Sequence, residues 1–218
     1  MEIYNLSQTN SVANHFLADL RNVNTQTDRM RFRRNIERIG EILAYEMSKT
    51  LFFSSEEIQT PLAKSEASLI KEKLIICSIL RAGIPLHNGL LNYLDWADSS
   101  FISAYRYHTS ENEFEINVEY LASQSLDEKV LILADPMLAT GQSLLATFEA
   151  LTKVGLPKEV HVVSVIGAQA GIDFLKDKLP SGTKLWIGAI DEKLNEKGYI
   201  VPGLGDAGDL AYGEKLQK

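Results

Sequence analysis

Residues 129–151, KVLILADPMLATGQSLLATFEAL, pass from an apolar run through one acid and a group of small and hydroxylated residues into a helical pattern. A turn of that kind, placed just before a helix, presents backbone N–H groups and the positive end of the helix to an anion. Gly141 permits a turn that a side chain would obstruct, and Thr140 and Ser143 can donate hydroxyls to phosphate oxygens. Asp135 would repel phosphate, so its partners should be neutral hydroxyls. A sugar phosphate meets both demands, with ribose hydroxyls at Asp135 and the 5'-phosphate in the loop. A side chain at Gly141 is expected to block the phosphate while the fold largely survives. The same residues also suit an ordinary strand, turn and helix with Asp135 as a cap, and local chemistry does not separate the two.

The elements that must hold this loop follow from hydrophobic periodicity. KLIICSIL (73–80), SFISAYR (100–106), KVLILA (129–134), VHVVSVIGA (160–168) and KLWIGAI (184–190) are nearly continuous apolar runs, as expected of strands covered on both faces. Helical stretches around 85–95, 142–154 and 170–179 separate most of them. This alternation predicts an α/β fold, with a doubly wound, mostly parallel sheet flanked by helices. Asp135 then sits at the carboxyl end of the third core strand, where open α/β sheets bind ligands. From Thr27 to Leu51 the residues Phe32, Ile36, Ile39, Leu43 and Met47 recur at three and four, giving a long helix with one apolar face for the body or another subunit. Arg29, Arg31, Arg33 and Arg34 at its start suit a solvated or interface face better than an anion site. In EFEINVEY, Phe114, Ile116, Val118 and Tyr120 alternate with polar residues, which predicts a projecting antiparallel hairpin and a candidate lid.

Composition narrows the function classes. The 218 residues suit a single domain, with a core of about 70–190 and a hood and N-terminal helical arm from 191–218 and 1–52. With 22 Lys+Arg against 29 Asp+Glu the net charge is -7, which argues against a surface that tracks nucleic acid. His15, His87, His108 and His161 lack the spacing and cysteine company of a protein metal site, so no metal ligand is assigned. Cys77 is the sole cysteine and lies in an apolar run, which suits a buried inert thiol and a reducing compartment. The N-terminus lacks a basic start followed by an apolar stretch, and no apolar run approaches a membrane span, so a cytoplasmic protein is expected.

ILRAG, AYR, DPMLATGQS and GYIVPGLGDAGD occur in the order and approximate spacing of uracil phosphoribosyltransferase, and this resemblance extends from about Thr27 to Gly213. The tail motif is the most specific, with four glycines and two acids in a stretch of little helix or strand propensity. The loop alone resembles the broader type I phosphoribosyltransferase signature, whose strand usually ends in two acids where this chain has Asp135-Pro136. The resemblance implies that uracil and 5-phosphoribosyl 1-diphosphate react to give UMP and diphosphate. It places Arg81 and Arg106 on the diphosphate, together with Asp135, Pro136, Met137, Leu138, Ala139, Thr140, Gly141, Gln142, Ser143 and Asp206 on the donor. It places Ile200, Gly205, Asp206 and Ala207 on uracil, within a hood over the active site. The resemblance makes Arg81, Arg106 and Asp206 the catalytic candidates, with Asp206 the candidate general base and orientation and charge stabilisation the alternative source of most of the rate. Magnesium held mainly by the substrate diphosphate, a homodimer or higher homo-oligomer, and a GTP effector are further implications.

Two positions depart from the family pattern. Gln142 stands where many relatives have glycine, so it must avoid or tolerate a left-handed backbone, and YHTSENEF after Arg106 lacks the family's usual proline. Three other readings share some of these features. A phosphoribosyltransferase for another base would keep the loop without the hood, a non-catalytic nucleotide- or RNA-binding regulator would keep the fold, and a flavodoxin-like binding module would need no pair of diphosphate-facing arginines.

Overall fold

The computed structural model describes residues 1–108 and 114–215, with the side chains of 104–118 left out. The five apolar runs become the centre of one sheet: β4 (Lys73–Ile79), β5 (Asp98–His108), β7 (Lys129–Ala134), β9 (Glu159–Ala168) and β10 (Lys184–Asp191). The path β1-β10-β9-β7-β4-β5-β6 has β1 (Glu2–Asn5) at one edge and β6 (Phe114–Ala122) at the other, and every neighbouring pair is parallel except β5 with β6. A two-residue strand, β8 (Met137–Leu138), rejoins beside β9.

Alternate residues of the central strands enter two apolar cores. Leu74, Ile76, Val130, Ile132, Val163 and Trp186 face α1 (Ala13–Arg21), α2 (Arg29–Ser48) and α3 (Gly83–Leu91). Ile75, Cys77, Leu131, Leu133, Val162 and Ile187 face α4 (Gln142–Leu151) and α5 (Gln169–Lys176). Two faces buried at once explain why these strands are continuous rather than alternating in hydrophobicity. The long helix is α2, capped by the Asp28 carboxylate, which accepts from the Arg31 N–H. Its stripe of Phe32, Ile36, Ile39, Leu43 and Met47 is fully buried against the body of the same chain. Three of its early arginines have partners within the chain. Arg31 pairs with Asp19, Arg34 with Glu37, and Arg33 donates to the Ala211 carbonyl.

The hairpin forms as an antiparallel pair of β5 and β6, running from Phe101↔Ala122 to His108↔Phe114 with a register shift at Ser103/Ala104. β4 accompanies β5 only as far as Ile102, so the hairpin projects beyond the sheet. Arg106 was expected to end its strand; instead β5 continues to His108 and Arg106 pairs with Ile116 inside the hairpin. Pairing with β6 lengthens the strand beyond its apolar run. Side chains expected in the lid lie outside the described residues, as does that of Arg106. A second hairpin, β2 (Phe53–Gln59) with β3 (Lys64–Ile70), gives no apolar run long enough to be seen in the sequence. Among the described residues no helix is long and apolar enough to cross a membrane.

Candidate active site

Chain order reverses at the centre of the sheet. From β4 the chain moves outward to β5 and β6, then returns to β7 on the other side of β4 and moves outward to β9 and β10. Ser78 and Ala134 are in register, so the turns after β4 and β7 emerge side by side. Arg81 lies on the first turn and Asp135 opens the second. This is a topological switch point, the place where such sheets leave a crevice beyond the carboxyl ends of their strands.

The second turn begins with a bend at Pro136. The Pro136 carbonyl accepts from the N–H groups of Val165 and Ile166, both at 3.1 Å, while proline itself has no N–H to leave unpaired. The Asp135 N–H reaches the Val163 carbonyl at 3.1 Å, and Asp135 Oδ1 accepts from the Met137 N–H at 3.2 Å. Beyond it, Asp135, Met137, Leu138, Ala139, Thr140, Gly141, Ser143 and Leu144 line a small hollow that opens to solvent.

Gly141 is the N-cap of α4, with φ of 79°, and no side chain caps that helix. The first-turn N–H groups of α4 are thus available to an anion, without an acid nearby in the turn. The left-handed residue is Gly141, and Gln142 is the first residue of the helix, so the glycine-to-glutamine departure carries no backbone cost. The expectation that a side chain at Gly141 would obstruct phosphate without disturbing the fold is corrected. A Cβ there would lie 2.9 Å from the Gly171 carbonyl and 3.0 Å from Leu175 and Phe174, so it would press into α5. Gly171 escaped the sequence reading for the same reason: a Cβ on it would come within 2.1 Å of the Ala139 carbonyl, and only the fold reveals that approach.

The tail motif is more ordered than its composition suggests. Lys193–Leu194 (β11) pairs antiparallel with Ile200–Val201 (β12), and Ala207–Tyr212 forms a short helix, α6. Short elements sustained by long-range partners leave little trace in local propensity. Ile200, Leu204, Ala207 and Ala211 are buried in the core shared with α2. Asp206 caps α6, its Oδ1 accepting from the Asp209 N–H at 3.0 Å, and its Oδ2 lies 3.4 Å from Lys215 Nζ. Gly205, with φ of 95°, is exposed.

Arg81 joins the two parts of the site. Its Nη2 donates to Asp209 Oδ1 and to the Gly213 carbonyl, each at 3.1 Å. The structure therefore brings the tail, the Arg81 turn and the phosphate-type loop to one end of the sheet. Beneath the Arg81 turn, His87 of α3 is buried between the hydroxyls of Ser78 (2.8 Å) and Ser99 (3.0 Å). Burial pushes its pKa down to about 4, so the ring is neutral near pH 7. Cys77 is buried too, and burial raises its thiol to about 11, which leaves it unreactive.

Sequence reasoning missed the residues that hold the tail. Asp191, at the end of β10, receives both Arg21 Nη1 and Nη2 at 2.8 Å and the Gly203 N–H at 3.0 Å. Arg21 Nη1 also donates to the Gly203 carbonyl at 2.9 Å, and Gln26 donates to the Leu204 carbonyl at 3.1 Å. Residues 170 positions apart leave no local signal of such a pairing.

A family model described as uracil phosphoribosyltransferase matches residues 7–214. A curated uracil phosphoribosyltransferase of Porphyromonas gingivalis is 48% identical over 216 residues, 99% of this chain and 100% of that protein. One from Pyrococcus furiosus is 39% identical over 194 residues, covering 88% and 82%. Among solved structures, an Aquifex aeolicus protein aligns over 98% of this chain and 99% of its own at a TM-score of 0.86 and 28% identity. A hypoxanthine phosphoribosyltransferase from Staphylococcus aureus aligns over 85% and 84% at 0.51 and 16% identity, a likeness of fold alone.

Proposed function

Because this chain belongs to the uracil phosphoribosyltransferase family, we propose that it transfers the 5-phosphoribosyl group from 5-phosphoribosyl 1-diphosphate to N1 of uracil, giving UMP and diphosphate. The observation that carries the reading for this chain's own residues is the convergence at the switch point. The open N-terminus of α4 and Arg81 emerge from adjacent strands, and Arg81 is bonded to the helix that Asp206 caps.

In this reading the 5'-phosphate occupies the loop from Ala139 to Ser143, with Thr140 and Ser143 donating hydroxyls, and the ribose hydroxyls meet Asp135. N1 of uracil attacks C1 of the ribose as the C1–O bond to diphosphate breaks; the electron pair leaves with the diphosphate, and the N1 proton passes to water. Arg81 and Arg106 stabilise that growing charge, for which a planar guanidinium fork is well suited. Uracil lies against Ile200 and the main chain of Gly205, Asp206 and Ala207. Asp206 already accepts a capping N–H on one oxygen, so orientation and charge stabilisation carry the rate in preference to a dedicated base.

Magnesium belongs to the proposal as an ion held by diphosphate oxygens and water. The donor set suits this: the loop brings one carboxylate, Asp135, and Mg2+ commonly keeps substrate and water ligands. When bound, it would neutralise part of the diphosphate charge. A homo-oligomer is supported by the exposed Phe52, Phe53, Ile58, Leu62 and Leu69 on or beside the second hairpin. A cytoplasmic location and a GTP effector rest on the family reading.

The test is incubation of the protein with 5-phosphoribosyl 1-diphosphate, Mg2+ and, separately, uracil, cytosine or hypoxanthine. UMP and diphosphate from uracil are expected. A purine nucleotide in its place would transfer the reading to another base, and no turnover combined with salt-sensitive RNA retention would favour a binding protein.

A further inference from the structure

We infer that Arg21 and Asp191 form a positioning clamp that sets the geometry of the uracil hood, making the N-terminal helix α1 a determinant of base affinity. This rests on the uracil reading above. Arg21 lies at the last residue of α1 and Asp191 at the last residue of β10, and they meet as a two-point pair with both distances at 2.8 Å. Asp191 is 8% exposed and Arg21 24%, so the pair is shielded from water on one side and largely so on the other.

The pair grips main chain at one residue. Asp191 Oδ2 accepts the Gly203 N–H and Arg21 Nη1 donates to the Gly203 carbonyl, so both backbone groups of Gly203 are held by charged partners. Gly203 is also where the hood turns. Its φ is 60°, and a Cβ there would stand 2.1 Å from the Ile200 carbonyl. Ile200 lies three residues before this point and Gly205 two residues after it, so the uracil-facing segments depart from the clamped residue in both directions. Gln26, in the connection from α1 to α2, fixes the next carbonyl, that of Leu204. A backbone that reads a base edge must be held still, since misplacement of its N–H and C=O groups costs binding directly.

Gly203 is buried, so both of its backbone groups need partners, and because one charged pair from α1 and β10 supplies them the position of the hood is tied to those two elements. The clamp touches neither the α4 loop nor Arg81, so its loss should fall more heavily on uracil than on the donor, which the hood meets through Asp206 alone.

Steady-state kinetics of Arg21→Met, Arg21→Lys and Asp191→Asn distinguish the roles. For Arg21→Met and Asp191→Asn the KM for uracil is expected to rise on the order of ten- to a hundredfold, the range for losing charge-assisted hydrogen bonds. The donor KM should stay within about threefold, and the preference for uracil over cytosine should narrow. Arg21→Lys should recover part of the uracil KM, because an ammonium keeps the charge without the two-point fork. Unchanged uracil KM in folded variants, or equal rises for both substrates, would overturn the clamp. If the variants do not fold, amide exchange of the unsubstituted protein without substrate decides it: the Gly203 amide should exchange far more slowly than that of Gly205, and equal, fast exchange would overturn it. Absence of UMP formation by the unsubstituted protein would instead strike the uracil reading and leave the exchange test standing.

Discussion

The guanidinium of Arg81 reaches Asp209 and the Gly213 carbonyl through a single nitrogen, Nη2, and its side chain is 40% exposed. An ion pair so exposed adds little to stability, about 0 to 1 kcal/mol in general. Its value lies in where it keeps the charge, at the hood edge beside the phosphate-type loop. Replacing Arg81 by Ala should therefore leave the melting temperature nearly unchanged. It should lower kcat/KM by a factor on the order of ten to a thousand, as for the loss of a charge-stabilising contact worth about 1.5 to 4 kcal/mol. Removal also leaves the Asp209 carboxylate without this partner at the edge of the proposed diphosphate site. Measured kcat/KM at limiting donor checks this, and full activity in a folded Arg81→Ala protein would remove Arg81 from the site. Arg81 could be singled out in the sequence because it sits in a recognisable local string, ILRAG. Arg21 and Asp191 could not, because nothing within ten residues of either announces the other. The direction of a Cβ at Gly141 was equally hidden, since it depends on α5 packing behind the loop.

At the scale of elements, the proposed hood would offer main chain rather than side chains to a base, and main chain cannot rotate to adapt. Uracil presents acceptors at O2 and O4 with a donor at N3, whereas cytosine presents an acceptor at N3 and an amino donor at C4. A fixed N–H and C=O pair around Gly205 to Ala207 would meet cytosine donor to donor and acceptor to acceptor. With each unpaired group costing about 1 to 3 kcal/mol, cytosine should be disfavoured by a factor on the order of a hundred to ten thousand. Competition between the two bases measures it, and comparable kcat/KM values would rule out main-chain readout. The core strands were legible because burial on two faces demands unbroken apolar runs, as in KVLILA, whose bounds match β7. The hairpin of β2 and β3, the edge strand β1 and the six-residue α6 were not. β1 depends on β10 and α6 on α2, both distant in the chain, whereas β2 and β3 pair with each other and carry too short an apolar pattern to be read.

For the whole molecule, the buried imidazole of His87 links the fold to pH. Its pKa falls from 6.5 to about 4 on folding because burial disfavours the charged ring. Between those values the unfolded chain binds a proton that the folded chain does not, so stability is intact above the ordinary value and is lost as the pH falls toward about 4. The loss should be on the order of 2 kcal/mol. Burial lowers the His161 pKa as well, a contribution of the same sign. Urea unfolding of the unsubstituted protein and of His87→Gln at pH 7.5, 6 and 5 isolates the first group: the gap between them should shrink on acidification. A constant gap would show that His87 does not titrate on unfolding in this range. Because His87 holds Ser78 and Ser99 just below the turn that carries Arg81, the acid side of the activity profile should follow the same loss where it precedes unfolding.

The α4 loop, Arg81 and the hood form one site only if a single nucleotide bridges them, and a crystal structure of the protein with UMP observes that bridge directly. The phosphate is expected within hydrogen-bond distance of the Thr140 and Ser143 hydroxyls at the α4 N-terminus, the ribose hydroxyls at Asp135, and the uracil edge on the main chain of Gly205 to Ala207 with Ile200 beside the ring. UMP bound with its phosphate away from the α4 N-terminus, or with its base turned away from the hood, would contradict it.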